Sequence, residues 1–345
     1  MSLMLRSLQA NFAYRFGFTR LPYAPLLISL EPTNYCNLRC PMCPVGHRAH
    51  DPSIARGFMP RAVFDTLLPE LARIRPVIAF HMGGESLMHP DFFQMGQELR
   101  TAGLRVRLDS NAMLISRDVA RRLIEHPPVD EIYLDLDGDD AGSYERIRKR
   151  ANFDRVVGNI RHLLSFRAER KQSLPRIIVK GIRYYRLGAK PGFPDSYKAL
   201  FADAPPDEYR FAWADYWPGS HREDLSSASA EDGALYQVPP ANSDPKACEL
   251  LWSRLAIGWD GQALLCCLDL NRTALIADVV KSGIMGAWNS PAMMDARRAH
   301  ISGRQTEMSL CANCQQIRRE SPSLLRRFKL LNTGRNASQG GERQS

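Results

Sequence analysis

The sequence predicts an α/β fold: a partial, TIM-like (β/α)6 barrel of parallel strands, open on one side, followed by a small cysteine-bearing domain. Short apolar runs alternate with helix-like stretches from residue 26 to about 217, as successive βα units require. The runs are rich in Ile, Val, Leu and aromatic residues, the composition of buried parallel strands. Six such runs are present, short of the eight that close a barrel on itself.

Residues 1–25 form an N-terminal extension in which Leu3, Met4, Leu5, Leu8, Phe12 and Phe16 stand beside Arg6 and Arg15. Such a segment either packs on its own domain or touches a membrane surface. The core, 26–217, carries candidate strands at 26–32, 77–83, 105–110, 131–137, 176–185 and 208–217. Asp91 is placed to cap the helix that ends at Gly103, and Ser116 the next, which stops before Pro127. Residues 218–245 are polar and rich in Ser, Asp and Pro, the composition of a linker or of a lid over the open side. A smaller domain spans 246–318, and 319–345 reads as a C-terminal helix and a disordered tail.

With 345 residues, 44% hydrophobic and 24% charged, the chain is an ordinary globular protein able to bury a sizeable core. It has no apolar run of about 18 residues, so no membrane-spanning helix is expected. Its first residues lack a signal peptide's apolar centre and small-residue cleavage site. A cytoplasmic location and free thiols follow as the expectation. The charge of +9 invites a nucleic-acid reading. The excess is spread over Arg146, Arg148, Lys149 and Arg150, then Arg167 to Lys171, then Arg318, Arg319, Arg326, Arg327 and Lys329. Several of these read as solvated helix faces, and a non-enzymatic nucleic-acid module is disfavoured.

The eight cysteines fall into three sets, 36/40/43, 248/266/267 and 311/314. The first set lies in EPTNYCNLRCPMCPVG, directly after the first candidate strand. Pro41 and Pro44 keep that loop from becoming helix, and three thiolates so spaced can wrap one face of an iron–sulfur cubane. A structural zinc site wants four ligands, for which His47 would have to join. The loop also follows a barrel strand at its C-terminal end, where active sites gather.

CNLRCPMC, a Cys-x3-Cys-x2-Cys motif, resembles that of the radical S-adenosylmethionine (SAM) enzymes. The resemblance implies that Cys36, Cys40 and Cys43 hold a [4Fe–4S] cluster whose fourth iron stays open to SAM. An electron then cleaves SAM to a 5′-deoxyadenosyl radical, which abstracts hydrogen from substrate. HMGGES at 81–86 resembles the family's Gly-Gly-Glu motif, which implies that Gly83, Gly84 and Glu85 receive the SAM ammonium. Ser110 and Asn111 match the third-strand motif, with Ala112 where the family often has Gly. By the same resemblance Asp137, preferred over Asp135, meets the ribose. Arg183, preferred over Lys180, meets the SAM carboxylate. Met42 stands where an aromatic residue commonly packs on adenine.

Cys248, Cys266, Cys311 and Cys314, with the intervening LAIGWDGQALLCC, resemble the SPASM extension or its shorter twitch form. Here the pattern stops after Cys314, leaving four ligands for a second, auxiliary [4Fe–4S] cluster. A four-cysteine zinc knuckle is the alternative. GWDGQALLCC reads as a hairpin turning at Asp260-Gly261. Cys267 is surplus: a small buried hydrophobe, a substitute for Cys266 as ligand, or a hydrogen-atom donor to a substrate radical. Members of this subgroup modify peptides, mature sulfatases, or oxidise and epimerise sugars and aminocyclitols. Only about 25 residues precede the first strand, too few for the N-terminal domain with which many members bind peptides. The one-cluster pattern resembles the dehydrogenase of aminocyclitol antibiotic biosynthesis. The expectation is therefore oxidation or epimerisation of a small polar substrate (sugar, aminocyclitol or alcohol), with a flavodoxin- or ferredoxin-type electron donor. A peptide substrate is the alternative. Trp213, Asp215, Tyr216 and Trp217 are candidate pocket residues.

Overall fold

The structure, a computed structural model, describes residues 2–47, 53–183, 195–213, 246–312, 314–318 and 343–344. Six parallel strands follow one another in the chain and in the sheet: β1 (Leu27–Leu30), β2 (Val77–Ala79), β3 (Arg105–Ser110), β4 (Glu131–Asp135), β5 (Arg176–Arg183) and β6 (Glu208–Trp213). Helix α1 (Leu3–Arg15) precedes them, and a single turn, α2 (Pro44–His47), follows the cysteine loop. The crossovers are α3 (Arg61–Ile74), α4 (Phe92–Thr101), α5 (Arg117–Glu125), α6 (Ala141–Ile147) with α7 (Phe153–Glu169), and α8 (Asp195–Ala199). Ser116 caps α5 by accepting from the Val119 N–H at 3.2 Å, whereas the Asp91 side chain makes no capping bond to α4.

Several strands are shorter than the apolar runs that foretold them. The surplus residues, HMGG after β2 and LDG after β4, form the loops at the C-terminal mouth of the barrel. The strands also alternate more than their composition suggested. Val106, Leu108, Ile132, Leu134, Ile177 and Val179 are buried in the main core. The intervening residues carry charge and pair across the strands: Arg107 with Glu131 at 2.8 Å, Arg176 with Glu208 at 2.6 Å and Lys180 with Asp109 at 2.6 Å. Charge is tolerated on this inner face because each buried ion has an opposite partner within hydrogen-bond reach.

The C-terminal region does not stand apart from the barrel. Strand β7 (Arg254–Ile257) pairs in parallel with β1, Ile28 opposite Leu255, and β8 (Gln262–Leu264) and β9 (Leu275–Asp278) extend the sheet antiparallel. Nine strands result, joined at the β6 edge by the two-residue β10 (Arg343–Gln344). The free edge of β1 would otherwise expose unpaired N–H and C=O groups. The β7–β8 turn falls at Asp260-Gly261, where Gly261 adopts a φ of 80° that only glycine takes cheaply. Helix α1 packs on the same region through Tyr14, whose hydroxyl donates to the Ala247 carbonyl at 2.8 Å, while Met4, Leu5, Leu8, Phe12 and Phe16 face outward. Among the described residues no helix is long and apolar enough to cross a membrane.

Candidate functional site

The cysteine loop leaves β1 and is held from below by the Gly-Gly-Glu loop after β2. The Glu85 N–H donates to the Tyr35 carbonyl at 2.8 Å, and the Gly83 N–H to the Glu31 carboxylate at 3.0 Å. A Cβ on Gly84 would lie 2.3 Å from the Thr33 carbonyl oxygen and 2.5 Å from that of Tyr35. Glycine is required there by backbone approaching backbone. Gly84→Ala is expected to cost about 1–3 kcal/mol through overpacking and to lower the iron retained at the first site, read by urea unfolding and iron analysis.

Glu85 is 2% exposed, and its carboxylate is hydrogen-bonded to β3 and to its own loop. It accepts from the Ser110 hydroxyl at 3.0 Å, the Asn111 N–H at 2.9 Å and the Leu87 N–H at 3.3 Å. Burial pushes its pKa up to about 7 against those donors. Glu85 thus ties the β2 and β3 ends together. Asn111 carries the tie onward: its amide donates to Asn37 Oδ1 at 2.9 Å and lies 4.0 Å from Cys36 Sγ. Ala112, in place of the family's glycine, adopts the left-handed φ of 60° that glycine would take, at a cost of roughly 1–2 kcal/mol. The turn survives the substitution.

Cys36, Cys40 and Cys43 lie close enough for each charge to oppose its neighbours' ionisation; burial is the larger effect and pushes Cys36 up to about 12 and Cys40 up to about 11. Arg148 opposes it at Cys40 and Cys43. That guanidinium, 9% exposed, donates through Nε to Asp137 at 2.5 Å and pairs with Asp135 at 3.1 Å. The other Asp137 oxygen accepts the Ile182 N–H at 2.7 Å. Arg148, read from sequence as part of a solvated basic run, is a buried cation beside the thiols. Three thiols on one loop with a guanidinium beside them fit a cluster whose thiolates carry negative charge. Met42 packs half-buried against the core with Cys36 and Cys43.

Above the barrel the inner face ends in a polar group. Lys180 pairs with Asp109 at 2.6 Å and with Asp135 at 3.1 Å. The His81 Nδ1 accepts the Asp109 N–H at 3.1 Å, and its Nε2 lies 3.7 Å from the Asp109 carboxylate. Burial would raise Asp109, but the Lys180 ammonium beside it holds it below the usual carboxylate range. From the other side Arg254 on β7 enters this field and donates to Cys267 Sγ at 3.2 Å.

The second cysteine set surrounds a small cavity of about 20 Å³ lined by Cys248, Cys266, Cys311, Cys314 and His300, with Gln316 and aliphatic side chains completing the wall. The 246–248 and 311–317 segments are joined by the Lys246 N–H, which donates to the Ile317 carbonyl at 2.7 Å. Cys267 is not among the lining residues. Cys266 borders the cavity, and the Cys267 thiol lies within hydrogen-bonding reach of both Cys266 and Arg254. Four thiols around an otherwise apolar space fit a fully ligated auxiliary cluster.

The side chains of Arg183 and Trp213, with Asp215, Tyr216, Trp217, the 218–245 segment and residues 319–342 and 345, lie outside the described residues. Sequence reasoning missed Glu31, His81, Asp109, Arg254 and His300 as site residues. His81 had a signal, since it directly precedes the Gly-Gly loop. Asp109 and Arg254 could have been found by reading the strands with a period of two.

The family model described as the radical SAM superfamily matches residues 30–172, and that of the SPASM iron–sulfur cluster-binding domain matches 248–315. The AdoMet-dependent heme synthase of Methanosarcina barkeri is 30% identical over 138 residues, 40% of this chain and 38% of its own length. The mycofactocin maturase MftC of Mycobacterium tuberculosis is 29% identical over 140 residues, 41% of this chain and 34% of its own. The chain thus matches little more than a third of the length of these curated relatives. The Streptococcus suis SuiB structure bound to precursor peptide SuiA superposes with a TM-score of 0.60 at 14% identity, covering 89% of this chain and 73% of that one, a likeness of fold. The chain therefore carries a radical SAM domain and, C-terminal to it, a SPASM iron–sulfur cluster-binding domain, the domains that use S-adenosylmethionine with its [4Fe–4S] cluster and hold an auxiliary iron–sulfur cluster.

Proposed function

We propose that this enzyme is a radical SAM oxidoreductase or epimerase acting on a small polar molecule, a sugar, aminocyclitol or alcohol, held over the barrel mouth. The observation that carries the reading is the convergence of His81, Asp109, Asp135, Lys180 and Arg254 on that mouth. Both acceptors and donors are present, and the His81 Nδ1 is already used as an acceptor, so its Nε2–H is a donor. Such a group suits hydroxyls and amines far better than apolar side chains.

In this reading residues 26–217 form the catalytic core and 246–318 the auxiliary domain, in a cytoplasmic enzyme. Cys36, Cys40 and Cys43 hold the first cluster. Gly83, Gly84, Ser110, Asn111, Met42 and Arg183 surround SAM, while Glu85 and Asp137 act chiefly by holding the loops that form its seat. Cys248, Cys266, Cys311 and Cys314 hold the auxiliary cluster. When bound, and given an electron from a flavodoxin- or ferredoxin-type donor, these groups supply reductive cleavage of SAM to a hydrogen-abstracting radical and an acceptor for one electron. In this reading Cys267, whose sulfur accepts from Arg254, is the residue that returns a hydrogen atom in an epimerisation.

Anaerobic reconstitution followed by assay of 5′-deoxyadenosine with candidate sugars and cyclitols tests the reading. If the product is an epimer, Cys267→Ala is expected to preserve 5′-deoxyadenosine release while abolishing incorporation of solvent deuterium into product. Unchanged turnover removes Cys267 from that role. A peptide-modifying reading draws support from the similarity to a mycofactocin maturase. It prevails if a short peptide stimulates 5′-deoxyadenosine release where small polyols do not.

A further inference from the structure

The helix Pro291–Ile301 ends beside the cavity that the four C-terminal cysteines line, and His300 in its last turn forms part of the wall. His300 is 2% exposed. Its Nδ1 accepts the Cys248 N–H at 3.0 Å. A ring nitrogen that accepts carries no proton, so the proton of this imidazole sits on Nε2. That Nε2 is buried and finds no hydrogen-bond partner among the described residues.

A buried N–H without an acceptor is rare and destabilising. Here it borders a space whose remaining wall is thiols, aliphatic side chains and Gln316. Water would fill that space badly, because it needs several polar partners at once. The acceptor is best supplied by whatever the thiols themselves hold. Iron ligation by Nε2 is a poorer solution, since the proton sits there and four thiolates already complete a cubane.

We infer that His300 is a positioning residue of the auxiliary centre: Nδ1 fixes the backbone of Cys248, and Nε2–H donates a hydrogen bond to a sulfur atom of the bound cluster. The inference rests on the auxiliary-cluster reading above. An N–H dipole aimed at a cluster sulfur favours the more negative, reduced form, and so raises the reduction potential. His300 thereby makes the centre a better electron acceptor.

The test uses the full chain carrying Cys36→Ala, Cys40→Ala and Cys43→Ala, so that only the auxiliary centre titrates, with the potential read by electron paramagnetic resonance. His300→Asn keeps an acceptor near Cys248 but has no donor at the Nε2 position; His300→Gln reaches that position with an amide N–H. In His300→Asn the reduced-to-oxidised ratio at fixed ambient potential should fall about tenfold, equivalent to about 59 mV for a one-electron couple. His300→Gln should restore most of it. An unchanged potential in His300→Asn, or an equal shift in both variants, overturns the inference alone. Absence of iron from the triple-alanine protein overturns the auxiliary-cluster reading itself. A readout in the unsubstituted His300 background uses ¹⁵N-histidine labelling: a weak ¹⁵N coupling to the reduced auxiliary centre is expected, and its absence overturns the hydrogen bond.

Discussion

Replacing Cys36, Cys40 and Cys43 together by alanine should abolish 5′-deoxyadenosine release while the protein keeps about four of the about eight iron atoms that two [4Fe–4S] clusters bring. Replacing Cys248, Cys266, Cys311 and Cys314 should give the same iron loss with a different kinetic signature. Reductive cleavage of SAM should persist, and turnover of substrate should fall to background. The two sets are expected to dissociate because they border different spaces. The first lies on the β1 loop beside Arg148, and the second around the cavity that His300 closes. Iron analysis beside an anaerobic assay checks both halves. Loss of all iron on replacing the four C-terminal cysteines, with Cys36, Cys40 and Cys43 intact, would mean that the first site does not fill without the second.

The second large effect concerns Arg148. Its guanidinium joins Asp135 and Asp137, and the Asp137 side chain has no solvent exposure. Removing the cation leaves two carboxylates without their shared partner in a low-dielectric setting. Arg148→Met should therefore destabilise the fold by about 3–5 kcal/mol. Lysine should rescue little of this, because a single ammonium cannot span both carboxylates as the guanidinium fork does. The double variant Arg148→Met with Asp137→Asn should recover a substantial part, since it deletes one stranded charge along with the cation. Urea unfolding of the apo protein measures each variant. A loss below about 1 kcal/mol, the range of an exposed ion pair, would contradict the buried geometry.

The local parts of the site were legible in the sequence because they are written locally. A three-cysteine spacing, two adjacent glycines and a strand-ending Ser-Asn each state their requirement within a few residues, and the strand order followed from the βα alternation. What escaped depends on partners far along the chain. The run containing Arg146, Arg148, Lys149 and Arg150 looks uniformly solvated until the end of α6 carries Arg148 inward to Asp135 and Asp137. Cys266 and Cys267 are chemically identical in sequence, and only the fold gives Cys266 a place on the cavity wall and Cys267 the Arg254 guanidinium. The Glu85 carboxylate is expected from sequence to meet SAM, and its three bonds to Ser110, Asn111 and Leu87, which tie the β2 and β3 ends together, were not foreseen. His300 carried no signal at all, because its partner is Cys248, on the other side of the auxiliary domain's hairpin.

The pairing of β1 with β7 has a consequence for how the protein comes into being. Leu255 is synthesised more than two hundred residues after Ile28, yet the two lie side by side. Until the later strand is synthesised, β1 presents an open apolar edge, the kind of surface through which nascent chains associate with one another. Closure by so distant a partner is intrinsically slow. The barrel and the auxiliary centre are thereby bound to a common schedule. The loop that carries the first three cysteines hangs from a strand whose edge is completed only by the segment leading to Cys266. Metal loading of either centre is therefore expected to follow synthesis of the segment from Arg254 to Cys266.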